Sequence, residues 1–137
     1  MGRVGGEMDN EAPIYIVDDD EGMREWLCDA LAEDGLACRA YPSGDAFLAE
    51  VDQLAPGCLL LDMRMPRRSG IQVQTELIRR GIDMKIIVIT GSSNVETVVE
   101  AMKLGALDVL EKPFPMDALF SAVRAALLLL EAGPTRA

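Results

Sequence analysis

The sequence predicts one doubly wound α/β domain: a five-stranded parallel sheet with helices on both faces. Three observations predict it. Short apolar runs without polar alternation recur at Ile14–Val17, Cys58–Leu61 and Ile86–Ile89, as in strands buried on both sides. Segments between them carry the helical period. Strand and helix patterns alternate five times, the order of parallel strands joined by crossover helices.

The elements follow in chain order. Ile14-Tyr15-Ile16-Val17 ends in Asp18-Asp19-Asp20. Met23, Trp26, Leu27, Ala30 and Leu31 are spaced to share one helical face. Leu36 to Tyr41 is a weaker strand, and a helix fits after Ser43. The third strand, Cys58 to Leu61, ends in Asp62, and a further helix fits after Gly70. Ile86-Ile87-Val88-Ile89 runs into Thr90-Gly91, followed by a stripe of Val95, Val98, Val99 and Met102. Ser93 and Glu96 have the spacing of a capping box before that stripe. Leu107 to Leu110 is the weaker fifth strand, and Met116, Leu119, Phe120, Val123 and Leu127 form the last helical stripe behind Pro115. Gly35, Gly81 and Gly105 each follow a predicted helix, where a left-handed C-cap is wanted.

Bulk properties exclude several function classes. A length of 137 residues suits one domain; residues 13–130 are expected to fold, between a disordered lead-in (1–12) and a tail (131–137). The net charge of −10 argues against nucleic acid or anionic membrane as a direct partner of this domain. The chain has no histidine, which excludes a Ser-His-Asp triad, a histidine metal site and a phosphohistidine carrier. Cys28, Cys38 and Cys58 match no metal-ligand spacing and read as reduced thiols of a cytoplasmic protein. No apolar run approaches the roughly 20 residues needed to span a bilayer.

The chemistry belongs beyond the carboxyl ends of the strands, where such sheets bind ligands. Asp18, Asp19 and Asp20 follow the first strand, Asp62 the third, Thr90 the fourth and Lys112 the fifth. In the flavodoxin-like strand order 2-1-3-4-5, strands one and three are neighbours and their acidic ends meet. Clustered carboxylates repel unless a cation sits among them. Mg²⁺, a hard cation that retains waters, suits such oxygen ligands, and Mn²⁺ could replace it. A carboxylate nucleophile, a metal, a lysine and a hydroxyl are the parts for phosphoryl transfer to an aspartate. Taken singly, each residue has a plainer reading as a turn, cap or solvated side chain, and Asp20 reads as the cap of the first helix.

Four motifs in this order carry a family resemblance: Ile16-Val17-Asp18-Asp19, Leu61-Asp62-Met63-Arg64-Met65-Pro66 with Ser69-Gly70, Ile87-Val88-Ile89-Thr90-Gly91, and Glu111-Lys112-Pro113-Phe114. Over Pro13 to Leu127 the chain resembles a response-regulator receiver domain of the FixJ-like group. The resemblance implies that Asp62 is the phosphoacceptor and that Asp18 and Asp19 are the acidic pair, with Asp19 the more direct Mg²⁺ ligand. It implies the main-chain carbonyl of Arg64 as a further ligand, Thr90 as the switch hydroxyl and Lys112 as the phosphoryl contact. It makes Lys112-Pro113 a candidate cis bond. The implied partners are a sensor histidine kinase or phosphotransfer protein, and a phosphorylation-dependent homodimer through Val99, Lys103 and Asp108.

The chain departs from the family where an aromatic often stands three positions before the lysine, because Val109 occupies that place. FixJ-like receivers usually precede a helix-turn-helix domain. None is present before Ala137, which leaves open a stand-alone receiver or a shortened chain. Leu127-Leu128-Leu129-Leu130 is apolar around more than one helical face and reads as a contact, a severed linker helix or a frayed C-terminal helix. The rival readings are a haloacid-dehalogenase-like phosphatase, a flavin-binding module and a degenerate receiver that only binds partners. The first expects an acid two residues past its nucleophile, where Arg64 stands; the second expects a phosphate cradle where Asp18 to Glu21 would repel one.

Overall fold

The computed structural model describes residues 12–91 and 94–131. Its strands are β1 (Ile14–Val17), β2 (Cys38–Tyr41), β3 (Cys58–Asp62), β4 (Lys85–Thr90) and β5 (Asp108–Glu111). Its helices are α1 (Glu21–Glu33), α2 (Gly44–Glu50), α3 (Gly70–Arg80), α4 (Val95–Lys103) and α5 (Met116–Glu131), with a 3₁₀ turn at Val51–Gln53 after α2. All strands are parallel, in the order β2-β1-β3-β4-β5. Most of the expected lead-in and tail lies outside the described residues.

The sheet separates two apolar layers by strand parity. Tyr15, Val17, Leu59, Leu61 and Val88 face one side, with Phe47 of α2 and Val73 and Leu77 of α3. Ile14, Ile16, Leu60, Ile87 and Ile89 face the other, under Leu27 and Leu31 of α1 and Leu119 and Val123 of α5. Each fully buried Leu or Ile contributes about 1.5–3 kcal/mol through removal from water. These layers fix which strand ends lie side by side.

Side-chain caps set the helix starts. The Asp20 carboxylate accepts from Gly22 N at 3.0 Å, as expected for a residue capping α1. Ser69 and Gln72 form a reciprocal capping box at α3, where Gln72 N donates to Ser69 Oγ at 3.3 Å and Ser69 N donates to Gln72 Oε1 at 2.8 Å. The expected Ser93–Glu96 box is not the cap of α4. The helix begins one residue later, with Asn94 Oδ1 accepting from Thr97 N at 3.1 Å; an Asn carbonyl caps as well as a hydroxyl. Ser93 itself lies outside the described residues.

Other expectations shift for similar local reasons. Leu36 falls outside β2, because its N–H closes α1 on the Leu31 carbonyl at 2.9 Å. Gly35, Gly81 and Gly105 all have positive φ, as the helix ends require. Most of the apolar stripe of α4 faces solvent rather than core: Val95 is 72% exposed, Val99 and Met102 are also exposed, Val98 is half-buried, and only Ala101 of that helix is buried. Periodicity identifies residues that share a face but not what covers that face. A polar tie also holds α4, for the buried Gln74 of α3 donates through Nε2 to the Ala101 carbonyl at 3.0 Å. Gln74 Oε1 has no hydrogen-bond partner among the described residues.

Candidate functional site

The carboxyl ends of β1, β3, β4 and β5 bring the four sequence-predicted positions together. Asp18 follows β1 and is 1% exposed; Asp62 ends β3 and is 4% exposed. One carboxylate oxygen each from Asp18, Asp19 and Asp62 lie within 4.8 Å of one another. Lys112 Nζ stands 3.7 Å from Asp18 Oδ2 and 3.8 Å from Asp62 Oδ1, between the two carboxylates but beyond hydrogen-bond length. Thr90, buried at the end of β4, accepts on its carbonyl from Lys112 N at 2.7 Å, so the backbones carrying the hydroxyl and the ammonium are joined. Lys112-Pro113 is cis, in agreement with the resemblance.

Local backbone geometry holds the acids in place. Asp20 N donates to Asp18 Oδ1 at 2.9 Å, and Arg24 donates to the Asp18 carbonyl at 2.8 Å. Asp18 Oδ2 is buried without a hydrogen bond among the described residues, so its second oxygen has lost water and gained only the distant Lys112. Beyond Asp62 the chain packs closely. A methyl group at Gly70 would stand 2.2 Å from Met63 Cε, 2.7 Å from the Asp62 carbonyl oxygen and 3.0 Å from Met63 Cα, so only glycine lets α3 begin there. Arg67, in the intervening loop, takes φ 68°, and Arg68 N bonds back to the Pro66 carbonyl at 2.7 Å.

The cluster carries more negative than positive charge. Burial pushes Asp62 up to about 6, with repulsion from Asp18 next; Lys112 and the Arg64 backbone N–H pull the other way. Burial also raises Asp18, against the opposing effects of the Asp20 N–H and Lys112. The orphaned Asp18 oxygen, the three converging carboxylates and the raised proton affinities of Asp18 and Asp62 fit a hard divalent cation. Opposite oxygens on such an ion stand roughly 4 Å apart, close to the span of this cluster.

Two clefts flank the acids. One, of about 350 Å³, is lined by Met63, Arg64, Ser69, Ile71, Thr90, Asn94 and Thr97 and separates the loop after Asp62 from the start of α4. The other, of about 490 Å³, is apolar, between Met23, Trp26, Lys112, Pro113 and Phe114. The Trp26–Phe114 pair, with ring centroids 5.8 Å apart, was not anticipated from sequence. Trp26 shares a helical spacing with the core residues of α1 yet is 41% exposed, because it sits at the rim of that stripe. The signal available was Phe114 directly after the Lys-Pro pair.

Strand order, acidic cluster and lysine define the class. The chain belongs to the response regulator receiver domain family, whose sequence pattern matches residues 14–124. It is 46% identical over 120 residues to the transcriptional regulatory protein FixJ of Azorhizobium caulinodans, covering 88% of this chain and 57% of that one. It is 45% identical over 121 residues to the response regulator protein TmoT of Ectopseudomonas mendocina, covering 88% and 55%. The crystal structure of FixJ-N superimposes with a TM-score of 0.83 at 35% identity, covering 93% of this chain and 99% of that one. The chain thus spans about half the length of the curated relatives it matches. It is a receiver domain, a signalling module of the kind that works with histidine kinases and generally binds Mg²⁺ at an acidic pocket. Among the described residues no helix is long and apolar enough to cross a membrane.

Proposed function

We propose that Asp62 accepts a phosphoryl group from a partner histidine kinase or phosphotransfer protein, and that the phosphorylated domain switches conformation to control an output. The observation that carries this reading is the placement of Asp62. It is a buried carboxylate at a strand end, flanked by two further acids and facing the Lys112 ammonium.

The ionised Asp62 carboxylate attacks phosphorus in line with the leaving group. For a phosphohistidine donor the N–P bond breaks and the imidazole leaves. These 137 residues include no histidine, so that donor lies outside them. Asp18, Asp19, Asp62 and the Arg64 main-chain carbonyl would hold Mg²⁺ or Mn²⁺, which when bound neutralises the acids and the phosphoryl oxygens. Lys112 stands where a second positive charge meets those oxygens, and the Thr90 hydroxyl donates to them. Water attack on the acyl phosphate, supported by the same groups, returns the carboxylate. The receiver unit on this reading covers residues 13–130, with a homodimer that phosphorylation strengthens through the α4–β5 side, where Val99 is exposed. Transcription is the output to test first, because the relative FixJ is a transcriptional regulatory protein.

Acetyl phosphate with Mg²⁺ should add one acid-labile phosphoryl group, read as an intact-mass shift, and Asp62→Asn should abolish it. Undiminished labelling of the mutant overturns the assignment.

A further inference from the structure

The three cysteines take no part in the acid cluster, yet two of them meet. Cys28 lies on α1 and Cys38 opens β2, the edge strand. Cys38 is in register with Ile14 and shares its side of the sheet, the side that α1 covers. Both thiols pack at the margin of the layer built by Ile14, Leu27, Leu31 and Leu36. Both are half-buried, so a small oxidant reaches them. Burial, and then Cys28 as a hydrogen-bonding and electrostatic neighbour, together push the Cys38 thiol up to about 12.

The fold excludes a Cys38–Cys58 pairing. Cys38 and Cys58 align with Ile14 from opposite sides, in register on β2 and β3. They are therefore two interstrand spacings apart, roughly 9–10 Å between Cα atoms. A disulfide tolerates no more than about 7 Å. Cys58 is also fully buried, and burial pushes its thiol up to about 12.

We propose that Cys28 and Cys38 form a reversible dithiol–disulfide site that joins α1 to β2 when the protein meets a peroxide. The Cys28 thiolate attacks a peroxide oxygen. The O–O bond breaks, leaving a sulfenic acid on Cys28 and a hydroxide that takes up the thiol proton as water. The Cys38 sulfur then gives up its proton and attacks the Cys28 sulfur. The S–S bond forms, the S–O bond breaks, and the hydroxyl leaves as water with the Cys38 proton. Two thiols lose two electrons and one hydrogen peroxide becomes two waters. A dithiol reductant reverses the reaction by exchange. The bridge closes only the turn between α1 and β2 and is independent of the chemistry at Asp62.

The test treats the full chain with hydrogen peroxide, removes the excess with catalase, alkylates it with iodoacetamide after unfolding and cleaves it after glutamates. Glu33 lies between the two cysteines, so a bridge joins two peptides. The expected product is lighter by two hydrogens, is alkylated only at Cys58, and yields one Cys28–Cys38 linked pair that dithiothreitol separates. Cys28→Ser and Cys38→Ser should each abolish the linked pair, and Cys58→Ala should retain it. Three alkylatable thiols after treatment, sulfinic acids on separate peptides, or a link between two chains would each overturn the proposal. Wild type alone supplies the deciding readout if a variant fails to fold.

Discussion

At the scale of single residues, the proton affinity of Asp62 carries the most information. Its carboxyl rises from the usual 3.8 to about 6 in the metal-free fold, chiefly through burial. Between those values the folded chain binds a proton that the unfolded chain releases, so this contribution to stability is present at low pH and is lost as pH rises through about 6. Asp18 shifts in the same direction. In chelator, the melting temperature should therefore fall as pH rises from about 4 through 6, by the equivalent of up to about 3 kcal/mol, somewhat under half of it above pH 5. Asp62→Asn should flatten most of that slope, and Mg²⁺ should restore stability at pH 7; thermal melts on both proteins check this. Asp19→Asn, which removes one repelling charge, should raise the metal-free melting temperature and weaken Mg²⁺ binding. A less stable metal-free mutant would contradict this account of the cluster.

At the scale of elements, two contacts govern how the site is held and read. Gly70 allows α3 to start against the backbone of Asp62 and Met63. Gly70→Ala should force the two apart, costing about 1–3 kcal/mol in urea unfolding and slowing Asp62 labelling several-fold. The second contact concerns Val109, which stands where the family often has an aromatic. Its side chain is β-branched and already packs against the inner layer, beside Val88 on β4. It is too short and too stiff to swing between two positions. A change at Thr90 would therefore pass to the start of α4 rather than through residue 109. Thr90→Ala should remove most of any phosphorylation-dependent self-association while leaving Asp62 labelled, and Val109→Ala should change it only modestly. Light scattering with parallel mass measurement distinguishes the two, and equal uncoupling by both mutants would make residue 109 a relay after all.

For the whole molecule, the fold was legible because buried parallel strands cannot alternate polar and apolar residues, and the site because such sheets gather their strand ends. Asp18, Asp62, Thr90 and Lys112 each end or follow a strand, so sequence position alone implied their meeting. Three features were not legible, each because it depends on what one element packs against. The cap of α4 passed from Ser93 to Asn94 within one residue of backbone. The rim position of Trp26 depends on Phe114, some ninety residues away in the chain. The outward face of α4 follows from its being seated through Ala101 instead of its valines.

That seating of α4 has a kinetic corollary. A helix anchored by small side chains and by the Gln74 amide has little interlocking to break when it lifts away, and the bare Gln74 Oε1 would gain a water partner as it did. The amide hydrogens of α4 should therefore exchange with deuterium faster than those of α1 or α5, through an opening far smaller than global unfolding, so the segment that would report phosphorylation is also the one with the most freedom to depart from its resting pose.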